Sequence, residues 1–399
     1  MPTDPDLQAL IDGDTWHEFT DSVRQLGGLV WNDTVPATAQ ERSEGALYLL
    51  RFLAAGLRVC VELDDPGHPL IAHNTYNRMS WGLDNPDCNY SYARLDGSTS
   101  YRIHGRIGSA CNLEFQVTTG HHADGNFTAW QTVSALRGSE LVLDDQGQFE
   151  LTLSPVKPAA GATNWLQVDD QASFLLVREF FADWEGQQPA SLQMEKLGAA
   201  YPPAPLRAGR IAGHFALLKL WLEAGARCWQ DFANGILQNA PAAIQPFIPP
   251  AEAAGLGGQA YGMGSFSVAE DEAVILEFAP PQCLVWNISL CDRFFQSIDY
   301  EDRQASLNGR QARWQGERCQ LVVAHRDPGI HNWLDCGGRN EGIIAVRYVL
   351  TETVPPVSYR KVKLTQLDGM LPNVARCSRE ARSESLRRRR LAYQQRLGS

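Results

Sequence analysis

The chain has 399 residues, of which 44% are apolar and 20% charged, and its formal net charge is −11. This is the composition of a folded globular protein of two or three domains, and the acidic balance argues against binding to nucleic acid, whose phosphates are bound mainly by lysine and arginine. The nine cysteines are odd in number and include no C-x-x-C pair, which argues against a disulfide framework and against a structural zinc site.

Two further features concern where the protein works. The first residues, MPTDPDLQALIDGD, are acidic and lack the positively charged segment that precedes the apolar core of a secretory signal. The most apolar stretches, near 45–60 and 211–224, contain charged residues, whereas a membrane span needs roughly 20 uncharged ones. We therefore expect a cytoplasmic protein without a membrane partner.

The period of the apolar pattern changes along the chain. Near the N-terminus it is helical, as shown by the spacing of Ala46, Leu49, Leu50, Leu53 and Leu57. Two later segments consist of short runs of period two separated by Gly, Asp and Pro, which is typical of antiparallel sandwiches and barrels. We predict five segments in chain order. They are a helical N-terminal segment (1–63), a first β-sandwich unit (64–202), a helical connection (203–260), a second β-sandwich unit (261–377) and a basic C-terminal tail (378–399).

The chain contains an internal sequence repeat. The stretch 331–348, HNWLDCGGRNEGIIAVRY, shares with 163–180, TNWLQVDDQASFLLVREF, an Asn-Trp-Leu tripeptide, a polar turn, an apolar run and an arginine. That arginine is Arg178 in the first copy and Arg347 in the second. A strand and a Pro-Ala or Pro-Gly bend precede the tripeptide in both copies. The repeat therefore predicts a mainly β protein with two related jelly-roll-like antiparallel sandwiches and a long helix inserted between them.

The chain also resembles a large bacterial family known only as a domain of unknown function, whose members have jelly-roll β-sandwich folds. The resemblance rests on four stretches in combination: DNPDCNYSYARLDGSTSYRIHGRIG (84–108), DDQGQFELTLS (144–154), NWL...VREFFADW (164–184) and HNWLDCGGRNEGIIAVRY (331–348). It covers roughly residues 40 to 350 and implies the fold, but it carries no activity to these positions. The basic C-terminal tail is not part of the pattern.

Residues present in both copies are expected to serve the fold. Arg178 and Arg347 would each tie a strand to a loop carbonyl or an acidic side chain. Differences between the copies are better functional candidates, because a site in one half only would show such asymmetry. Three such differences appear when the copies are aligned. His325 replaces Ser154, His331 replaces Thr163 and Asp335 replaces Gln167.

The densest set of polar residues lies in the second β unit, where we predict a pocket. Histidine titrates near neutral pH, so His325 or His331 could move a proton, and Asp292 or Tyr300 could orient or share it. The planar guanidinium of Arg347 could clamp a carboxylate or sulfate. Further predicted substrate-binding residues are Arg303, Asn287, Trp333 and Asp335.

Three classes of function stay open. The first is an enzyme, hydrolase-like or lyase-like, that acts on a small organic substrate by acid–base chemistry without a cofactor; the substrate could be an anion. The second is a non-catalytic protein that binds a small molecule or carbohydrate, and the third is a structural or assembly protein. A metal held by His325, His331 and Asp335 is a weaker alternative. We expect the run Arg387 to Arg390 to pack against the protein's own acidic surface or against a neighbouring subunit of a homo-oligomer rather than to bind nucleic acid.

Overall fold

The structure of the chain is a computed structural model that describes residues 5–125, 130–158, 163–239, 244 and 258–398. Its helices are Pro5–Asp12 (α1), Asp14–Leu26 (α2), Ala39–Leu57 (α3), Ala208–Leu220 (α4), Ala226–Asn239 (α5), Leu367–Met370 (α6) and Arg379–Arg396 (α7). A π turn, Trp221–Gly225, joins α4 to α5, so the inserted long helix is confirmed and carries a bulge at its middle. Within the described ranges no helix combines the length and the apolar composition that a bilayer crossing demands.

The first β unit is a sandwich of two sheets. Its strands are β1 (Ala72–Thr75), β2 (Cys88–Arg94), β3 (Tyr101–Arg106), β4 (Asn112–Thr118), β5 (Thr132–Arg137), β6 (Gln148–Ser154), β7 (Asn164–Gln167), β8 (Phe174–Phe180) and β9 (Ser191–Lys196). Sheet A has the order β1-β2-β8-β4-β5, and sheet B has the order β7-β6-β3-β9. Alternate residues from the two sheets, such as Phe115 and Leu151, fill the core between them.

The second β unit repeats this topology. Its strands are β10 (Ala260–Ser267), β11 (Glu272–Phe278), β12 (Cys283–Cys291), β13 (Ser306–Asn308), β14 (Cys319–Ala324), β15 (Trp333–Asp335), β16 (Glu341–Thr351) and β17 (Ser358–Lys363). Sheet C has the order β10-β16-β12-β13, and sheet D has the order β15-β14-β11-β17. Adding eight to the number of each strand from β2 to β9 converts the first unit into the second, so the predicted duplication and fold class are confirmed.

The repeated asparagine makes the same hydrogen bonds in both units. The Asn164 amide donates to the carbonyls of Val142 and Glu150 and its oxygen accepts from the Val142 N–H at 2.8 Å. Asn332 does the same with Arg313 and the carbonyl of Gln320. Each asparagine therefore locks a loop onto a strand, as the repeat predicts for residues that serve the fold.

Two details of the predicted repeat need correction. The strand that carries the tripeptide pairs in parallel with the strand before it, β7 with β6 and β15 with β14, so neither sandwich is wholly antiparallel. The register of these pairs also places Ala324, rather than His325, at the position of Ser154, because Ser154 pairs with Gln167 and Ala324 with Asp335. His325 follows the strand and has a different setting from the one the sequence alignment indicated.

The two sandwiches pack through sheets A and C, and the repeated arginines meet in this interface. Tyr90 pairs with Arg178 on neighbouring strands, and Tyr261 pairs with Arg347 at the equivalent positions. Burial raises the pKa values of both tyrosines, and the positive charges of both arginines oppose this rise at each tyrosine. The interface is therefore pseudo-symmetric, and each unit contributes the same pair of residues to it.

The buried carboxylate of Asp87 joins the two units. Asp87 accepts hydrogen bonds from the Trp184 indole N–H at 2.6 Å in the first unit, and from the Asn287 and Asn308 amides at 2.7 and 2.6 Å in the second. The residue is 1% exposed, and burial raises its pKa. Because three donors converge on one carboxylate, its hydrogen bonds set the distance between the sandwiches.

Helix α7 closes the junction with three buried arginines spaced seven residues apart, which puts them on one helix face. Arg382 lies 5.4 Å from the centroid of the Trp333 ring. Arg389 and Arg396 lie 4.1 and 4.7 Å from the centroid of the Trp184 ring. Arg396 also donates to the carbonyl of Pro86 at 2.7 Å. Such desolvated cation–π contacts are each worth about 2 kcal/mol. The basic tail is therefore part of the folded core.

Replacing Asp87 by alanine removes the common acceptor of Trp184, Asn287 and Asn308. Leaving buried donors without a partner costs roughly 1–3 kcal/mol each, so we expect the free energy of unfolding to fall by about 3 kcal/mol or more. Urea unfolding measures this change. The exposed Asp170→Ala variant is the control and should stay within about 0.5 kcal/mol of the parent protein; equal losses in the two variants would contradict the role of Asp87.

Candidate functional site

A groove of about 530 Å³ lies where the two sandwiches meet α7. The turn at 182–186 of the first unit forms one wall, the segment 304–313 of the second unit forms another, and residues 385–389 of α7 close it. Its position depends on the junction described above, because Trp184 both lines the groove and binds Asp87.

The groove is rich in positive charge although the protein as a whole is acidic. Four arginines and two carboxylates line it: Arg310, Arg313, Arg388, Arg389, Asp183 and Glu185. The carboxylates pair loosely, Asp183 with Arg310 at 3.7 Å and Glu185 with Arg388 at 3.6 Å. Both arginine side chains are more than half exposed, so these pairs are weak and a better anion can displace them. The groove therefore presents an excess of guanidinium groups.

Arg389 forms the floor of the groove and is fixed from several sides. Its Nε donates to the carbonyl of Tyr300 at 2.5 Å, and its guanidinium lies over the Trp184 ring. Burial lowers its pKa to about 10, which still leaves it charged at neutral pH. A charge held in place near the bottom of a groove attracts an anion without losing side-chain freedom on binding.

His331 lies in the wall of the same groove, and its tautomer is set by the fold. Its Nε2 is 3.1 Å from the carbonyl of Gln311, which can only accept, so Nε2 carries the proton and Nδ1 is left as the basic nitrogen. Burial lowers the pKa of His331, and the nearby Arg313 and Arg382 act in the same direction. His331 is therefore neutral at pH 7 and can accept a proton.

The other predicted acid–base residues are not gathered around His331. Tyr300 lies beneath the groove floor, and its hydroxyl donates to Asp84 Oδ2 at 2.5 Å. Asp292 accepts from the backbone N–H groups of Phe294 and Gln296 at 2.9 and 3.0 Å and so closes its own loop. Burial raises the pKa of Asp292 to about 6. Neither side chain lines the groove.

His325 and the acidic candidate Asp335 are also held elsewhere. His325 Nε2 is 3.0 Å from the carbonyl of Val268. Asp335 accepts from Arg303 at 2.9 Å, so these two predicted binding residues form an ion pair with each other. Among the residues that the structure describes, no three His, Cys, Asp or Glu side chains are grouped so as to hold a metal ion. The metal site considered from the sequence is therefore not assembled in the described part of the chain.

The remaining predicted binding residues are buried in contacts that hold the fold. Arg347 is 4% exposed and donates to the Ser289 hydroxyl at 2.8 Å and to the carbonyl of Leu83 at 2.9 Å. Asn287 donates to Asp87, and the indole N–H of Trp333 donates to the carbonyl of Ala324. The polar side chains of Asn287 and Ser289 on β12 thus lie in the interface between the sandwiches and not in the predicted pocket.

Sequence reasoning missed most of the groove. Asp183, Arg310 and Arg313 stand in turns with no motif around them. Arg388 and Arg389 belong to the arginine run, which we expected to pack against an acidic surface. Such packing is visible in two ion pairs, Arg388 with Glu185 and Arg390 with Asp302. The run did carry a signal, but only the fold shows which of its members face a cavity.

A wider depression of about 590 Å³ lies on the outer face of sheet B. Its lining has one arginine, Arg106, and two carboxylates, Asp144 and Glu150. Glu150 also lies 3.2 Å from Arg102 on the neighbouring strand. The groove at the junction is the better candidate because its positive charges outnumber the carboxylates.

The fold and the groove define a double β-sandwich protein with a basic cleft between its halves. Residues 89–182 match the sequence profile of a family described as "Protein of unknown function (DUF1214)", which confirms the resemblance over this part of the chain. The crystal structure of an uncharacterized protein from Burkholderia cenocepacia is similar, with a TM-score of 0.84 and 29% identity over 90% of this chain and 100% of that one.

A second solved structure is more distant. The VPA0106 protein from Vibrio parahaemolyticus has a TM-score of 0.45 and 10% identity, over 79% of this chain and 98% of that one. No curated protein matches the sequence. The descriptions of this family and of these two structures name no activity, so the groove is the basis for a functional proposal.

The state of His331 can be tested by NMR. We expect its imidazole to titrate below the ordinary histidine pKa of about 6.5 and to carry its proton on Nε2 in the neutral form. Arg313→Ala should raise this pKa, because it removes a nearby positive charge. The same residue in the urea-unfolded protein provides the reference. Titration at or above the unfolded value would contradict the environment described here.

Proposed function

We propose that the protein binds a small organic anion in the groove between its sandwiches and that His331 exchanges a proton with it. The observation that carries this proposal is the convergence of four arginines and a neutral histidine on one cavity of ligand size. The chain has a formal charge of −11, so a groove with excess guanidinium groups is a local reversal of sign that favours an anion there.

In this proposal the arginines of the groove bind the anion and His331 exchanges the proton. Arg313 and Arg388 stand at its exposed rim, where a carboxylate or phosphate can replace the loose pairing of Arg388 with Glu185. Arg389 would hold the charge from below. Nδ1 of His331 would then take a proton from the bound molecule, and the arriving negative charge would raise the histidine pKa and so favour the transfer.

This makes acid–base chemistry on a small anionic substrate the leading function, without a cofactor. Ligand binding without turnover is the second candidate, since the ring of His331 is held by a backbone carbonyl and not by a carboxylate that would strengthen it as a base. As part of the proposal we place the protein in the cytoplasm, where its nine free thiols stay reduced.

Loss of a rim arginine should weaken anion binding. Titration calorimetry with citrate and with inorganic phosphate should show affinity lower by about ten- to a hundredfold in Arg313→Ala and Arg388→Ala, the effect of roughly 1.5–3 kcal/mol for a charge-assisted contact. Arg106→Ala changes the net charge equally but lies on sheet B, so it should bind as the parent does. If all three variants lose affinity alike, the groove is not the site.

The two predicted histidines make a matched pair. His331→Ala should abolish turnover of an anionic substrate and reduce binding only modestly, whereas His325→Ala should leave both unchanged because His325 contacts the carbonyl of Val268 outside the groove. Thermal unfolding of both variants controls for misfolding. Full activity in His331→Ala would sink the acid–base role and leave binding alone.

A further inference from the structure

The walls of the groove at the junction carry opposite charges. Among the described residues that line it, those of the first unit, 182–186, include two carboxylates, Asp183 and Glu185, and no cation. The lining residues of the second unit and of α7 supply all four arginines and no carboxylate. The positive excess of the groove is therefore unevenly distributed, and the acidic wall of one sandwich faces a basic wall built by the other sandwich and α7.

Two ion pairs cross the groove, and both are loose. Asp183 lies 3.7 Å from Arg310, and Glu185 lies 3.6 Å from Arg388, which is beyond the range of a direct hydrogen bond. Each of the four side chains is at least 40% exposed, so water screens the attraction and the pairs contribute little to stability. The charges of both walls are therefore accessible to a ligand that lies between them.

The two carboxylates of the acidic wall differ in their other contacts. Asp183 Oδ1 accepts hydrogen bonds from the backbone N–H groups of Glu185 and Gly186 at 3.2 Å each, so this oxygen shapes the turn. Asp183 Oδ2 is the oxygen near Arg310. The Glu185 carboxylate has only Arg388 as an ion-pair partner in the described part of the chain. Glu185 and Asp183 Oδ2 are therefore the acidic groups that a ligand can engage without disturbing the turn.

A simple anion satisfies only one of the two walls. When a carboxylate or phosphate replaces Glu185 beside Arg388, Glu185 loses that partner and faces a ligand of its own sign. Like charges placed next to each other oppose binding. A ligand that also carries an ammonium group avoids this cost, because the ammonium takes the place of the arginine as the partner of Glu185.

We propose that the groove binds amino-carboxylates, with the ammonium group against Asp183 and Glu185 and the carboxylate against the arginines of the opposite wall. This inference rests on the proposed anion-binding function and narrows its ligand class. Four guanidinium groups and two carboxylates line the groove, so a ligand with one ammonium group and two carboxylates matches both signs. A cavity of about 530 Å³ is large enough for such a molecule.

Titration calorimetry of the full chain at neutral pH with two matched pairs of compounds tests the proposal. The pairs are glutamate with glutarate and 6-aminohexanoate with hexanoate, and the members of each pair differ only by the ammonium group. If the positive excess alone decided binding, the amine-free acid would bind more tightly because it is the more negative compound. We expect the reverse order in at least one pair, by about tenfold, which is the effect of one charge-assisted hydrogen bond.

Three variants locate the group that recognises the ammonium. Glu185→Gln should abolish the preference for the amino compound without weakening the binding of the amine-free acid. Asp183→Asn retains Oδ1 for the turn and should reduce the preference in the same direction. Glu270→Gln is the matched control, because it neutralises a carboxylate that pairs with Arg326 at 2.8 Å outside the groove, and it should keep the preference of the parent. Thermal unfolding of each variant controls for misfolding.

The other outcomes overturn the proposal and are distinguishable from failure of the anion groove. If the amine-free acid binds as tightly as the amino compound in both pairs, the acidic wall does not select the ligand, although the groove still binds anions. A preference that persists in both Glu185→Gln and Asp183→Asn would place the ammonium elsewhere. If none of the four compounds binds, the inference fails, and the titrations with citrate and phosphate decide separately whether the groove binds anions.

Discussion

The carboxylate of Asp87 is the interaction on which the arrangement of the molecule depends. It lies at the end of the segment that enters the first sandwich, yet two of its three donors belong to the second. A buried carboxylate is stable only where donors replace its lost water, so neither unit can move away without exposing an uncompensated charge. The sandwiches, the Trp184 ring and α7 all take their positions around this point.

The duplication explains both the likeness and the difference of the two units. In sheet D the outer face is apolar and is covered by Leu367 and Leu371 from the chain that follows the second unit. In sheet B the equivalent face carries Arg102, His104 and Glu150 and stands open. Because the chain after the second unit covers sheet D, the outer face of that sheet can carry apolar residues without exposing them to solvent.

The same extension creates the candidate site. Helix α7 lies across the junction and brings Arg388 and Arg389 next to a wall that already holds His331. Consecutive helical residues point about 100° apart, so the four arginines of the run reach different surroundings. Arg387 pairs with Glu384 and Arg390 with Asp302, while Arg389 stacks on Trp184. A stretch that looks uniform as sequence is therefore divided among a core, a groove and the solvent.

The sequence by itself determined the features that depend on local pattern: the period-two strands, the inserted helix, the duplication and the structural role of Asn332 and Arg347. These follow from periodicity and from the same residues recurring at one spacing, which each unit satisfies on its own. The tertiary structure decided the candidate site. His331 was visible as a difference between the copies, but Asp183, Arg313 and Arg388 come from separate parts of the chain, and their meeting depends on how two sandwiches and a helix pack. The same packing separated His331 from His325 and Asp292, since nearness in a sequence does not fix which face of a strand or loop a side chain occupies.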